Sequence, residues 1–279
     1  MLSISVQIIP HLDAKALTAA AIEAERLGYA NFWLSDEGFM TEPFVALGMI
    51  AAQTERIGLG IVTNPYTRHP AMTAAALATL DNMSGGRALL CYVAGGSLVL
   101  DPLNMARPQP VQTVQEAIFI TRELLKGESV TWAGERFQLK GAQLEVRARH
   151  TIPIHVAGRG PKMLAMAART ADALWVSAND ASQDIPALRA LAGENPLRLI
   201  GGDHPPMASQ LVGALDEAIQ QDSQEGTAEQ KQIVSAGEWA AVIRRNAASG
   251  LFDDLLIVAW ENELAATLNL LRQVKEALS

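Results

Sequence analysis

At 279 residues, 49% of them hydrophobic, the chain can bury a sizeable core, which excludes a disordered segment. A formal net charge of −8 excludes the basic face that nucleic-acid binding needs, and the single cysteine, Cys91, excludes an internal disulfide and a multi-cysteine metal site. No apolar run approaches the roughly 20 residues of a membrane span, and the start lacks the basic stretch and cleavage site of a signal peptide, so a cytoplasmic location is expected.

In chain order, Ile4–Ile9 reads as a first strand bounded by Pro10. Asp13 is placed to cap a helix over Ala14–Leu27, and Gly28 to end it in the left-handed conformation. Tyr29–Ser35 reads as the second strand and is followed by the acidic pair Asp36 and Glu37. Glu42-Pro43 opens a helix to about Thr54, proline being tolerated in a first turn. Then Ile57–Val62 and Ala88–Ala94 flank an alanine-rich helix, a strand–helix–strand crossover with parallel strands. Its first loop, Thr63–Pro70, carries Thr63, Asn64, Tyr66, Arg68 and His69 at the C-terminal end of a strand, where parallel α/β folds build their sites. Its second strand stops on Gly95 and Gly96.

Ser97–Pro110 holds three prolines and is long enough to form a lid or wall over a site. A helix is expected over Val111–Lys126. Gly127–Val146 alternates apolar and polar residues around Ala133-Gly134 and reads as a β-hairpin inserted outside the main sheet. The alternation then resumes with the strand Ile152–Ala157, the turn GRGPK, the helix Pro161–Ala171, the strand Ala173–Ser177 and a short helix at Ile185–Ala192. Pro196–Ile200 is a weak strand. Met207–Gln221 is expected to be helical and Asp222–Gln230 loop-like, before a helix at Ser235–Ala248, the strand Asp253–Ala259 and the closing helix Glu261–Leu278. Eight strands alternating with helices predict an α/β fold, a (β/α)₈ TIM barrel with the hairpin after the fourth helix and a shortened sixth and seventh unit. No glycine-rich fingerprint follows the first strand, as a dinucleotide-binding open sheet would require. No shift of composition marks a boundary, so residues 1–279 are expected to form one domain.

VTNPYTRHPAMTAAALATLDNMSGGR resembles the luciferase-like monooxygenase family of flavin- and deazaflavin-dependent barrel oxidoreductases. Within it, TNPYTRHP is most similar to the methylenetetrahydromethanopterin reductase branch, which uses the deazaflavin coenzyme. The resemblance continues through AAIEAERLGYANFWLSDE, ALGMIAAQTERIGLG, EAIFITRELLKGESVTWAGERFQL and IPIHVAGRGPKMLAMAARTADALWVS, covering about Met1 to Ser177, and returns at ASGLFDDLLIVA.

That resemblance implies an oxidoreductase passing a hydride between coenzyme F420, or FMN with monooxygenation, and a small organic substrate. It implies a coenzyme wall at Thr63, Asn64, Arg68, Gly95 and Gly96. It makes Ala157, Gly158, Arg159, Gly160, Pro161 and Lys162 the coenzyme phosphate site, and backbone amides at a helix N-terminus do bind anions. It implies a homodimer built on the helices beside the second and third strands, including the Met72–Thr79 face, and a non-prolyl cis peptide at Ile61–Val62. Asp36, Glu37 and His69 are the candidate catalytic groups; Glu37 stands where the family usually has histidine, and burial could make it a proton donor.

The same residues also have structural readings. Arg68 could pair with an acidic neighbour, His69 could shape the helix entry before Pro70, and AGRGPK could be an ordinary tight turn. Gln7 replaces an acid of the reductase branch and cannot transfer a proton. Ile61, Cys91 and Val93 stand where small residues are usual, and Cys91 reads as a core residue. An alternative is therefore a family barrel that has lost conventional cofactor binding and acts as a binding or subunit protein.

Overall fold

The structure is a computed structural model that describes residues 2–176, 184–202 and 236–278. The helix expected at Met207–Gln221, the loop at Asp222–Gln230 and most of the shortened sixth and seventh units lie outside the described residues.

Eight parallel strands close into a barrel. In chain order they are β1 (Ser3–Ile8), β2 (Asn31–Ser35), β3 (Gly58–Thr63), β4 (Ala88–Tyr92), β7 (Ile154–Ala157), β8 (Ala173–Val176), β9 (Arg198–Gly201) and β10 (Asp254–Ala259), and β10 pairs back onto β1. The helices between them are α1 (Ala14–Arg26), α2 (Pro43–Ala51), α3 (Pro70–Ser84), α5 (Pro110–Leu125), α6 (Pro161–Thr170), α7 (Ile185–Ala192), α8 (Ala236–Ser249) and α9 (Leu264–Leu278). The expected lid begins with a short helix, α4 (Ser97–Leu100). Capping decides where several helices start: Asp13 accepts from the Ala16 amide, Glu42 from Val45 and Asp184 from Ala187.

The hairpin, β5 (Val130–Ala133) with β6 (Gln138–Ala142), forms a separate two-stranded sheet. One carboxylate on α5 holds it. Glu116 accepts the amides of Glu135, Arg136 and Phe137 and the Trp132 indole N–H. Gly134 is required there, because a Cβ would fall 2.1 Å from Glu116 Oε2. Desolvation would raise the Glu116 pKa, but the bonds from Gln112, the Phe137 amide and Trp132 outweigh it and hold the group below the usual carboxylate range.

The barrel interior is filled by large aromatics at mid-height. Trp33 on β2 reaches across to His155 on β7, 4.9 Å between ring centroids, and meets Trp175 on β8 edge-on at 5.1 Å. β2 neighbours neither β7 nor β8 in the sheet, so only side chains pointing into the barrel can meet this way. The lower end is polar: Asp254 accepts from Ser3 (2.8 Å) and Ser5 (2.6 Å). Burial raises the Asp254 pKa, with the Ser5 and Ser3 hydroxyls opposing.

Every peptide bond among the described residues is trans, which corrects the cis bond implied at Ile61–Val62. Both residues sit in unbroken register, Leu34 with Ile61 and Ser35 with Val62 on one side, Leu90 and Cys91 on the other. Two adjacent β-branched residues paired on both edges suit regular extended backbone.

Candidate active site

The C-terminal ends of β1, β2 and β3 are stitched together by polar side chains. Gln7 on β1 donates from Nε2 to Ser35 Oγ at 2.7 Å. Ser35 in turn lies beside Glu37, where its hydroxyl acts to lower the pKa of that carboxyl. Beside it, Thr63 donates its hydroxyl to Asp36 Oδ2 at 2.7 Å, and the Asp36 amide donates to the Val62 carbonyl. The two candidate acids therefore have different surroundings. Asp36 has a hydroxyl donor, whereas Glu37 is raised above the usual carboxylate range, first by burial and then by the Asp36 charge, with Ser35 opposing.

Asn64 shapes the loop. Its Oδ1 accepts the amides of Tyr66 and Thr67, both at 3.0 Å, a side-chain turn that fixes the backbone as it leaves β3. The loop is then tied outward: the Tyr66 hydroxyl donates to the Pro108 carbonyl, and Arg107 donates to the Gly95 carbonyl. Gly95 has φ +77°, and a Cβ on it would press on Leu100 at 3.0 Å; Gly96 faces open space.

Arg68 and His69 sit on the outer lip. Arg68 pairs with Glu42 through Nη2 at 2.5 Å and lies over the Phe44 ring. His69 caps α3, its Nδ1 accepting from the Ala71 amide, and packs edge-on against Phe137 of the hairpin at 5.2 Å. Partial burial lowers the His69 pKa. Both side chains thus carry out the structural tasks open to them, acid pairing and helix entry, and neither takes part in the Gln7–Ser35–Glu37 chain.

On the opposite side of the mouth, the β7–α6 turn spans Ala157 to Lys162. Gly160 is the N-cap of α6 with no side-chain cap, and Pro161 has no amide hydrogen. The amides of Lys162 and Met163 therefore open the helix without a capping side chain. A Cβ on Gly158 would come within 2.6 Å of Met163, while none would meet anything at Gly160. Arg159 and Lys162 are exposed.

Between these two sides the mouth has an apolar floor. Strand alternation points Val62, Trp175 and Val258 inward at their C-terminal ends, and each keeps a sliver of exposed surface. Cys91, one pleat lower, is fully buried and burial pushes its thiol pKa up, as suits a core residue and not a nucleophile. No His, Cys, Asp and Glu cluster among the described residues could hold a metal ion.

Four contributors were not singled out from the sequence. Ser35 reads only as the end of a strand. Trp175 and His155, joined by Trp175 Nε1 donating to His155 Nδ1 at 3.1 Å, read as core. Glu261 stands two residues past β10, as Glu37 stands past β2. It is 8% exposed, and burial raises its pKa. The available signal was position, a polar or aromatic residue at or just past the C-terminal end of an apolar run.

An apolar floor, a polar chain on one side and an uncapped helix N-terminus with two nearby cations on the other fit a planar coenzyme with an anionic tail. The luciferase-like monooxygenase profile matches residues 4–251. The 5,10-methylenetetrahydromethanopterin reductase of Methanolobus tindarius is 32% identical over 179 residues, 64% of this chain and 55% of that protein. The same enzyme of Archaeoglobus fulgidus is 32% identical over 197 residues, 68% of this chain and 59% of that protein. The aligned region thus spans little more than half of each relative. Among solved structures, the coenzyme F420-dependent tetrahydromethanopterin reductase of Methanopyrus kandleri superimposes with a TM-score of 0.80 at 19% identity, covering 100% of this chain and 99% of that one. An F420-dependent secondary alcohol dehydrogenase superimposes at 0.76, also at 19% identity, covering 100% of both chains. The chain belongs to the luciferase-like monooxygenase family.

Proposed function

We propose that the chain is an oxidoreductase that binds coenzyme F420 at the C-terminal mouth of its barrel and serves hydride transfer to or from a small organic substrate. The observation that carries this reading is the asymmetry of the mouth, with a proton-bearing side chain network on one rim and an anion-ready helix start on the other. The relatives named 5,10-methylenetetrahydromethanopterin reductase, and the superposed F420-dependent enzymes, support it. When bound, the deazaflavin supplies hydride exchange at its ring, and FMN on the same tail site is the alternative coenzyme.

The chain's own residues would hold and position. The turn Ala157, Gly158, Arg159, Gly160, Pro161 and Lys162 would take the coenzyme's phosphate end. Thr63, Asn64, Gly95 and Gly96 would form the wall beside the ring, and Val62, Trp175 and Val258 the floor that excludes water. Glu37, with its raised pKa, would hold a proton at neutral pH more readily than an ordinary carboxyl; Gln7 and Ser35 keep its orientation. The neighbouring Asp36 charge acts in the same direction as burial on Glu37.

In the same reading the whole chain works as one domain in the cytoplasm, on a small molecule and without a nucleic-acid partner. No helix among the described residues is long and apolar enough to cross a membrane. A homodimer would use α2 and α3, where Val45 (65%), Met49 (40%) and Met83 (52%) are exposed. Titration of the pure chain with F420 and with FMN, followed by fluorescence, tests the proposal. Saturable F420 binding is expected; no affinity for either coenzyme would leave the binding-or-subunit alternative.

A further inference from the structure

Beside the mouth, a cavity of about 470 Å³ opens between the loops that follow β2 and β3. Its volume lies in the usual range of small-molecule sites, roughly 300–1,000 Å³. One wall is apolar, made by Phe39, Pro43, Met72 and Leu103, and Phe39 and Met72 are 66% and 59% exposed. The other is polar, made by Asp36, Thr67, Arg68 and His69.

The hydrogen bonding of the polar wall is unbalanced. Most of its acceptors are engaged: Asp36 Oδ2 by Thr63, Glu42 by Arg68 and the Val45 amide, and His69 Nδ1 by the Ala71 amide, while Thr67 Oγ1 has no partner. Its donors are not. Arg68 uses Nη2 alone for Glu42; its unpartnered Nε is shut off from the surface, which leaves Nη1 to meet a ligand. A neutral His69 whose Nδ1 accepts must carry its proton on Nε2, which makes that nitrogen a donor. Spare donors facing an apolar wall call for a ligand with an accepting oxygen and an apolar body.

Charge decides the class of that oxygen. Glu42 offsets Arg68, and Asp36 adds a further negative charge to the cavity, so a carboxylate ligand would meet net repulsion. A carbonyl oxygen would not. We propose that this cavity binds a small neutral molecule with an aromatic or aliphatic body and a carbonyl oxygen. The body lies on Phe39, Met72 and Leu103, and the oxygen takes hydrogen bonds from Arg68 and His69. No coenzyme is needed, so the site stands or falls separately from the F420 reading.

The test uses the full chain carrying ¹³C-methyl methionine, without coenzyme, titrated with acetophenone, ethylbenzene and benzoate. The Met72 methyl resonance, assigned with Met72→Leu, is the reporter. Acetophenone is expected to shift it saturably, with ethylbenzene (similar shape, no oxygen) and benzoate (anionic) each binding at least about fivefold more weakly. Arg68→Met retains an aliphatic stem over Phe44 but no donor, and should weaken acetophenone about tenfold while leaving ethylbenzene unchanged. The proposal is overturned if acetophenone gives no saturable shift at Met72, if ethylbenzene binds as well, or if benzoate binds more tightly. Should Arg68→Met fail to fold, the three probes on the unaltered chain still decide the matter.

Discussion

Gly60 lies directly beneath the Trp33 ring: a Cβ on Gly60 would fall 2.0 Å from the nearest ring carbon. The missing side chain on β3 is the space into which the β2 indole extends to meet His155 and Trp175. Gly60→Ala should destabilise the chain by about 3 kcal/mol, because the ring is boxed in by aromatics on its far side. Urea unfolding checks this, and Gly60→Ala combined with Trp33→Leu should recover part of the loss.

Glu116 anchors the hairpin through three backbone amides and one indole. Glu116→Ala leaves those donors without an acceptor in a site that is 2% exposed. A loss of about 3 kcal/mol is expected, and limited proteolysis should cut first within Glu128–Val146. A variant as protease-resistant as the unaltered chain would show that the hairpin holds itself.

His155 is pushed down to about 3, first by burial and then by the Arg198 charge. The unfolded chain therefore binds a proton that the folded one refuses. The stability from the neutral ring is full above the ordinary pKa near 6.5 and is lost as the pH falls from there toward 3. His155→Gln removes this titration and should flatten the acid side of the stability curve by up to about 1.4 kcal/mol per pH unit. Urea midpoints at pH 6 and pH 4.5 measure the change.

Gly160→Asp should have two effects of opposite sign. The backbone there is extended (φ −75°, ψ 143°) and a Cβ meets nothing, so Asp fits and caps α6, stabilising the chain by about 1 kcal/mol. The same carboxylate occupies the place proposed for the coenzyme phosphate and repels it. F420 affinity should fall at least tenfold while the melting temperature rises.

For Glu37, burial and the neighbouring Asp36 charge extend the protonated form to higher pH than in a free carboxyl. If it gives the proton, turnover falls as the pH rises through that raised pKa. Glu37→Gln should lower kcat by about a hundredfold and abolish that limb of the pH profile, with F420 affinity retained.

Much of the barrel can be read from the chain because its signals are local. Asp13 and Gly28 bracket one helix, Pro43 and Pro70 open two more, and each buried strand is a short apolar run. The acids after β2 and the glycines after β4 and β7 were visible for the same reason. What escaped were relationships between distant positions. Nothing near residue 33 indicates that its partners are residues 155 and 175, nor that Gly58 and Gly60 leave space for β2 side chains. His69 and Arg68 show the reverse limit: two polar residues at the right rim have two uses each, and only the positions of Ala71 and Glu42 reveal which use the folded chain makes of them.

The lid is fastened through two consecutive residues to two neighbouring loops of the mouth, by Tyr66 to Pro108 and by Arg107 to the Gly95 carbonyl. One bond belongs to the loop leaving β3 and the other to the loop leaving β4. The stretch from Ser97 to Pro110 therefore behaves as a strap and not as a free flap. Releasing either bond loads the other, so entry to the mouth becomes a joint movement of the loops leaving β3 and β4, and a ligand that seats against Asn64 or Gly95 is felt at once by its own cover.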